Sequence, residues 1–202
     1  MQYAFSQGLE WHVDVCKQAA YFGHLDCLQF AHENGCPWDS ETTKFAALKG
    51  HLDCMQFARE SGGLWNTKVP EVAARNGHID CLAFAHENGC PWDCETVIAA
   101  TQAGQEECLK YALAHHCPVD AQAFDVASKS GHRGCLNILR DHRAPWSTNT
   151  PVGAAEHKDA ECMKFLHENN CPWDDLTSTQ CARKGKIATL RYALDNGCPR
   201  SE

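Results

Sequence analysis

The sequence predicts an all-α helical-repeat solenoid of about seven two-helix units, on three observations. A unit of 27 residues keeps its phase along the chain: glycine recurs at Gly23, Gly50, Gly77, Gly104, Gly131 and Gly185, broken only by Lys158. Cysteine recurs with it at Cys27, Cys54, Cys81, Cys108, Cys135 and Cys162. All six tryptophans, Trp11, Trp38, Trp65, Trp92, Trp146 and Trp173, share a single register. A fixed period of about 20–50 residues marks units that contact only their neighbours. The unbroken period predicts one repeat domain over 1–202. It divides into an N-terminal partial unit (1–22), repeats 23–49, 50–76, 77–103, 104–130, 131–157 and 158–184, and a half-repeat cap (185–202).

Within a unit, the second helix is the clearest element and is expected from about Leu25 to Asn34. Leu25, Cys27, Leu28, Phe30 and Ala31 form a broad apolar stripe, while Asp26, Gln29 and Glu33 make a polar outer face. Gly35, Gly62, Gly89 and Gly197 follow it at the C′ position, where a left-handed residue ends a helix; Asn170 is the one replacement suited to that conformation. Proline comes two residues later at Pro37, Pro91, Pro118, Pro145, Pro172 and Pro199 and keeps the helix from resuming.

The first helix of the next unit is expected to be shorter. Its core is a small-residue column of Ala19, Ala46, Ala73, Ala100, Ala127, Ala154 and Cys181, which lets adjacent helices approach closely. Thr150-Pro151 fits an N-cap followed by proline at N1, and Val69-Pro70 has proline in the same place. Asp39, Asp93, Asp120 and Asp174 precede these positions and suit a cap of either the preceding turn or the helix. At the ends, Met1-Gln2-Tyr3-Ala4 aligns with Leu28-Gln29-Phe30-Ala31, so the chain begins inside a second helix, as a cap or as part of a longer array. At the other end the cysteine column changes to Thr189 and the tryptophan column to Arg200, the polar replacement a solvent-facing cap needs.

The stretch from Gly23 to Asp39, GHLDCLQFAHENGCPWD, resembles the second half of an ankyrin repeat, through Gly23, His24, Leu25, Asp26, Leu28 and Gly35. Ala46-Ala47 and Thr150-Pro151 resemble the small-residue and Thr-Pro parts of that family's first helix. The period is shorter, 27 residues against about 33 in the family. The shortfall lies between Asp39 and the first helix, so the resemblance implies trimmed or absent β-hairpin fingers. The short Cys-Pro-Trp-Asp type resembles repeats encoded by large DNA viruses and unicellular eukaryotes.

A net charge of −8 argues against a general nucleic-acid or anionic-membrane binder. The first 14 residues, MQYAFSQGLEWHVD, lack the basic and apolar regions of a signal peptide. The expectation is a monomer in the cytoplasm or nucleus, a reducing compartment. Twelve of 14 cysteines fall into periodic columns. Equivalent positions in stacked helices lie about 8–10 Å apart, beyond disulfide reach, so the thiols read as small core residues held reduced.

His24, Cys27, His32 and Cys36 have the spacing of a zinc set, repeated by His78, Cys81, His86 and Cys90. His24 and Cys36 bracket a helix about 18 Å long, and Cys27 and His32 point about 140° apart. The set therefore cannot converge on an ion. Cysteine is assigned to packing, and His24, His51, His78 and His132 to hydrogen bonds in their turns. The tryptophan column reads as a cover for the base left bare by the missing hairpin rather than as a nucleic-acid platform, since no basic groove accompanies it. No phosphate loop, nucleophile elbow or paired-histidine motif is present. No enzymatic activity and no cofactor are expected.

Function is then expected on the variable columns. With Ala46 pointing inward, Glu41, Lys44 and Leu48 fall on the opposite face of the first helix. The equivalent trios are Asp14, Lys17 and Tyr21; Lys68, Glu71 and Arg75; Glu95, Ile98 and Gln102; and Gln122, Asp125 and Lys129. The resemblance places this face on the concave side, where a protein partner docks. A second candidate is the basic copy starting at Gly131, with His132, Arg133, Arg140, His142 and Arg143. Two other readings stay open: a structural arm of a longer repeat protein, and a metal- or redox-responsive protein.

Overall fold

The computed structural model describes residues 11–156 and 160–199. Readings that fall on Met1-Gln2-Tyr3-Ala4, Lys158 and Arg200 lie outside them. The described residues form helices and turns, with no strand among them, and the chain folds as an all-α, ankyrin-like solenoid of paired helices. It divides into two compact units, Met1–Trp92 and Asp93–Glu202.

In the first unit, α1 (Asp14–Phe22), α3 (Ser40–Lys49) and α5 (Lys68–Arg75) are the first helices of successive repeats. Their partners are α2 (Leu25–Glu33), α4 (Leu52–Glu60) and α6 (Ile79–Glu87). In the second unit the first helices are α7 (Cys94–Gln102), α9 (Gln122–Ser130), α11 (Thr150–Ala154) and α13 (Asp175–Arg183). They pair with α8 (Glu106–Ala114), α10 (Arg133–Asp141), α12 (Glu161–Glu168) and α14 (Ile187–Asp195). Within each unit the first helices pack side by side in one layer and the second helices in another. The first-helix layer is the tighter one because the alanine column runs through it: Ala46, Ala73, Ala100, Ala127, Ala154 and Cys181 are fully buried. The core beneath is filled by Leu28, Met55, Leu82, Leu109, Leu136 and Met163, one from each second helix except α14, together with the cysteines.

The turns repeat as faithfully as the helices. After α2, the Gly35 N–H bonds to His32 O and the Cys36 N–H bonds to Ala31 O at 2.9 Å, a Schellman closure. The left-handed residue of that closure is glycine in four repeats, but His116, Arg143 and Asn170 take it at φ 60°, 55° and 60°. Asn170 is thus not the sole replacement. The surrounding hydrogen bonds are strong enough to hold histidine and arginine in a conformation that costs about 1 kcal/mol.

Several local expectations are corrected. The first helices are not the shorter ones in general: α3 has 10 residues and α4 has 9, and only α5 and α11 are short. Of the two uses open to the aspartates, three of the four cap the helix, while Asp120 stands before the N-cap Ala121 and accepts from Gln122 N at 3.0 Å. Asp39 accepts from Glu41 N, Asp93 from Glu95 N, and Asp174 from Leu176 N and Thr177 N. The prolines stand further inside their helices than expected: Pro70 is the third residue of α5, and Asn149 rather than Thr150 stands at the N-cap of α11. Thr189 is fully buried in α14 and is no solvent-facing cap. A threonine is close enough in shape to cysteine to keep its place in the core.

Candidate functional site

Each first helix presents one face away from its alanine column, and the capping aspartates fix where that face begins. The trios lie on it, but the middle member of each is drawn down between helices. The Lys17 ammonium lies 3.3 Å from Asp39 and 3.8 Å from Asp14. Lys44 is ion-paired to Glu41 and lies 5.3 Å from the Phe45 ring. Glu71 is only 7% exposed, receiving Lys68 at 2.6 Å and Arg75 at 2.9 Å. Ile98 is 8% exposed and belongs to the core as much as to the face. Asp125 accepts from Ser147 Oγ at 2.7 Å and Thr150 Oγ1 at 2.5 Å, tying α9 to the start of α11.

The flanking members carry the accessible surface. Asp14, Lys68, Arg75, Glu95, Gln102, Gln122 and Lys129 are exposed, and Tyr21, Glu41 and Leu48 are half-buried. Tyr21 stands edge-on to Phe45, ring centres 5.8 Å apart, with Lys49 4.6 Å from its ring. Lys49 and Phe45 were not legible as parts of this face, because helical rotation from Ala46 assigns neither to it. The result in the first unit is a surface of mutually paired charges around an aromatic patch. Its side chains are held before any partner arrives.

The basic copy is less basic than its composition. Arg133 pairs with Glu161 at 3.0 Å, and Arg140 pairs with Asp141 at 2.9 Å while lying 5.3 Å from the Phe165 ring. His142 and Arg143 are exposed beside them.

Two of the turn histidines, His78 and His132, act between repeats rather than within their own turn. His78 Nε2 lies 3.2 Å from Leu48 O, and His132 Nε2 lies 3.2 Å from Gln102 O, each reaching one repeat back. The cysteine before the proline does the same with a weak donor. Cys90 Sγ donates to Asn66 O at 3.4 Å, Cys117 Sγ to Asp93 O at 3.3 Å, and Cys198 Sγ to Asp174 O at 3.3 Å. All 14 cysteines are free thiols, and only Cys27 and Cys94 are more than marginally exposed. Burial, the largest cause, pushes Cys54, Cys81 and Cys117 up to about 12, with neighbouring aspartates adding to it. Such thiols are poor nucleophiles and poor metal ligands. Among the described residues no three His, Cys, Asp or Glu side chains are placed to hold a metal ion, and no helix is long and apolar enough to cross a membrane.

The tryptophans form a second column on the loop side. Trp38 stacks on His32 with ring centres 4.0 Å apart, Trp92 on His86 at 4.1 Å, and Trp173 on His167 at 4.5 Å. Trp65 takes the guanidinium of Arg59 at 4.5 Å instead. Trp11 Nε1 donates to Asn34 O at 2.9 Å. Four of the indoles thus cover the loops with a cationic or imidazole partner six residues earlier, whereas Trp146 stacks on Phe124, ring centres 4.2 Å apart.

No family model matches the sequence, and no curated protein matches it. Among solved structures, the crystal structure of the human ASB11 ankyrin repeat domain is similar, with a TM-score of 0.75 at 18% identity. The match covers 92% of this chain and 99% of that one. At that identity the likeness establishes the fold.

Proposed function

We propose that this chain is a non-catalytic protein-binding module whose partner docks on the first-helix face, the concave side of an ankyrin-type solenoid. The observation that carries the proposal is the contrast between columns. The alanine, cysteine and tryptophan positions repeat because the fold needs them, whereas the accessible trio positions differ in charge, size and polarity among the repeats. A face that were only solvated would have no need of Tyr21 and Leu48 among its charges. Aromatic and aliphatic anchors inside a polar rim supply most of the energy of protein interfaces. Ion pairs already formed on the free face reduce the ordering entropy lost on docking.

The test is affinity capture from lysate of the source cells, comparing the wild type with a combined Leu48→Asp, Gln102→Lys and Gln122→Lys variant. These side chains touch none of the ion pairs that hold the face together. A protein retained by the wild type and lost by the variant supports docking here. Equal retention by both rules this face out.

A further inference from the structure

Among the described residues, the tryptophan register of the loop-side column is interrupted once, at Val119 after α8 of the fourth helix pair. In the first unit three rings meet: Trp38 lies flat on His32, and Phe57 of the following repeat stands edge-on to both, 5.9 Å from the indole and 5.8 Å from the imidazole. Trp65 is likewise held by Arg59 and by Phe84 at 6.1 Å. In the fourth pair all three places turn aliphatic together: Leu113 for the histidine, Val119 for the tryptophan and Ile138 for the phenylalanine. Leu113 and Ile138 are buried there.

A concavity of about 580 Å³ lies where two of the three rings are replaced, lined by Leu113, Ala114, Cys117, Pro118 and Val119, with His116 and His142 on its polar side. That volume lies within the roughly 300–1,000 Å³ range of ligand sites. Its shape is specified by the neighbouring repeats, where the chain's own indole fills the equivalent place. Its rim is specified by charge. His116, His142 and the adjacent Arg143 are exposed N–H donors and a cation in a chain whose net charge is −8. His116 and Arg143 both hold the left-handed conformation that ends α8 and α10, which fixes the rim's backbone.

We infer that this pocket receives an aromatic side chain of a partner protein, flanked by carboxylates, which completes the ring stack from outside. The pocket lies on the loop side, separate from the first-helix face, and stands whether or not that face binds.

The test uses two peptides, acetyl-Asp-Trp-Asp-amide and acetyl-Asp-Ala-Asp-amide, titrated into the full chain with methyl-labelled leucine and valine and followed by NMR. The tryptophan peptide is expected to shift the Val119 and Leu113 methyl signals saturably and to bind about tenfold more tightly than the alanine peptide. A Val119→Trp, Leu113→His double variant restores the chain's own stack and should abolish saturable binding of the tryptophan peptide, read from the backbone amide signals of His116 and Cys117, which the variant keeps. A His116→Glu, His142→Glu variant leaves the lining intact and should weaken binding of the acidic peptide about tenfold, which is the deciding measurement if the first variant loses its helical circular dichroism. Shifts that map elsewhere, equal binding of the two peptides, or undiminished binding by both variants would overturn the proposal.

Discussion

The imidazole of His86 lies flat on the indole of Trp92, ring centres 4.1 Å apart and planes within 14°. These residues stand six apart, at the end of α6 and in the loop that follows, so the stack pins a loop that no hairpin supports. Stacked aromatic pairs contribute about 0.5–1.5 kcal/mol beyond their buried area. His86→Ala and Trp92→Ala should each destabilise the fold, and a double-mutant cycle by urea unfolding should return a coupling of about 1 kcal/mol. A coupling indistinguishable from zero would mean that the indole acts only by covering area.

The thiols predict an alkaline limit. Burial raises Cys16, Cys54, Cys81, Cys90, Cys117 and Cys171 from 9.0 to about 12 in the folded state. The folded chain therefore holds these protons more tightly than the unfolded chain. Their contribution is full below pH 9 and is lost as pH rises from 9 towards 12. At about pH 10 each such thiol removes on the order of 1 kcal/mol, and several together rival a domain's total stability of about 5–15 kcal/mol. Circular dichroism should show cooperative unfolding above about pH 9–10, and Cys54→Ala with Cys81→Ala should move the midpoint upward. Under native conditions near neutral pH, a thiol reagent should label Cys27 and Cys94 first; rapid labelling of Cys54 would contradict this account.

Two glycines with the same left-handed backbone should respond differently to a methyl group. Gly50 (φ +76°) faces the His78 ring, whose Nδ1 would lie 2.6 Å from an added Cβ, whereas Gly62 (φ +82°) has open space around it. Gly62→Ala should cost about 1 kcal/mol, the strain of the conformation alone. Gly50→Ala should cost at least about 1 kcal/mol more, because the ring must move and give up its position beside Leu48 O. Adding His78→Ala to both should bring the two costs together in thermal unfolding; a difference that persisted would place the clash elsewhere.

Glu71 tests whether the paired face is built into stability. Glu71→Gln leaves Lys68 and Arg75, both substantially exposed, free to return to water, so its cost should be about 1 kcal/mol or less. Lys68→Met with Arg75→Met leaves a buried carboxylate unpaired and should cost about 3 kcal/mol. Equal losses in urea unfolding would show that Glu71 is solvated in solution.

Periodicity was sufficient for the architecture. An alanine column and a glycine followed by proline each have one structural use at a fixed spacing, and each is met where the 27-residue register puts it. The outward face of the first helices was legible from rotation about Ala46. How deep each member sits was not: Glu71 and Ile98 occupy equivalent positions in sequence, yet one is buried by ion pairing and the other by apolar contact. Helix capping was half-legible, since Asp39 could be named as a cap but not assigned to a helix start until its carboxylate was seen accepting from Glu41 N.

The relations between repeats belong to tertiary structure alone. His78 reaching Leu48 O, Ser147 and Thr150 closing on Asp125, and Phe57 standing edge-on to both Trp38 and His32 join residues up to 30 positions apart. A repeating pattern states which residues share a column but not which neighbouring columns touch, because that depends on how one helix pair rotates and shifts over the next. The same limit explains the fourth pair. Leu113 and Val119 read separately as conservative losses of an aromatic ring, and only the structure shows that both line one pocket.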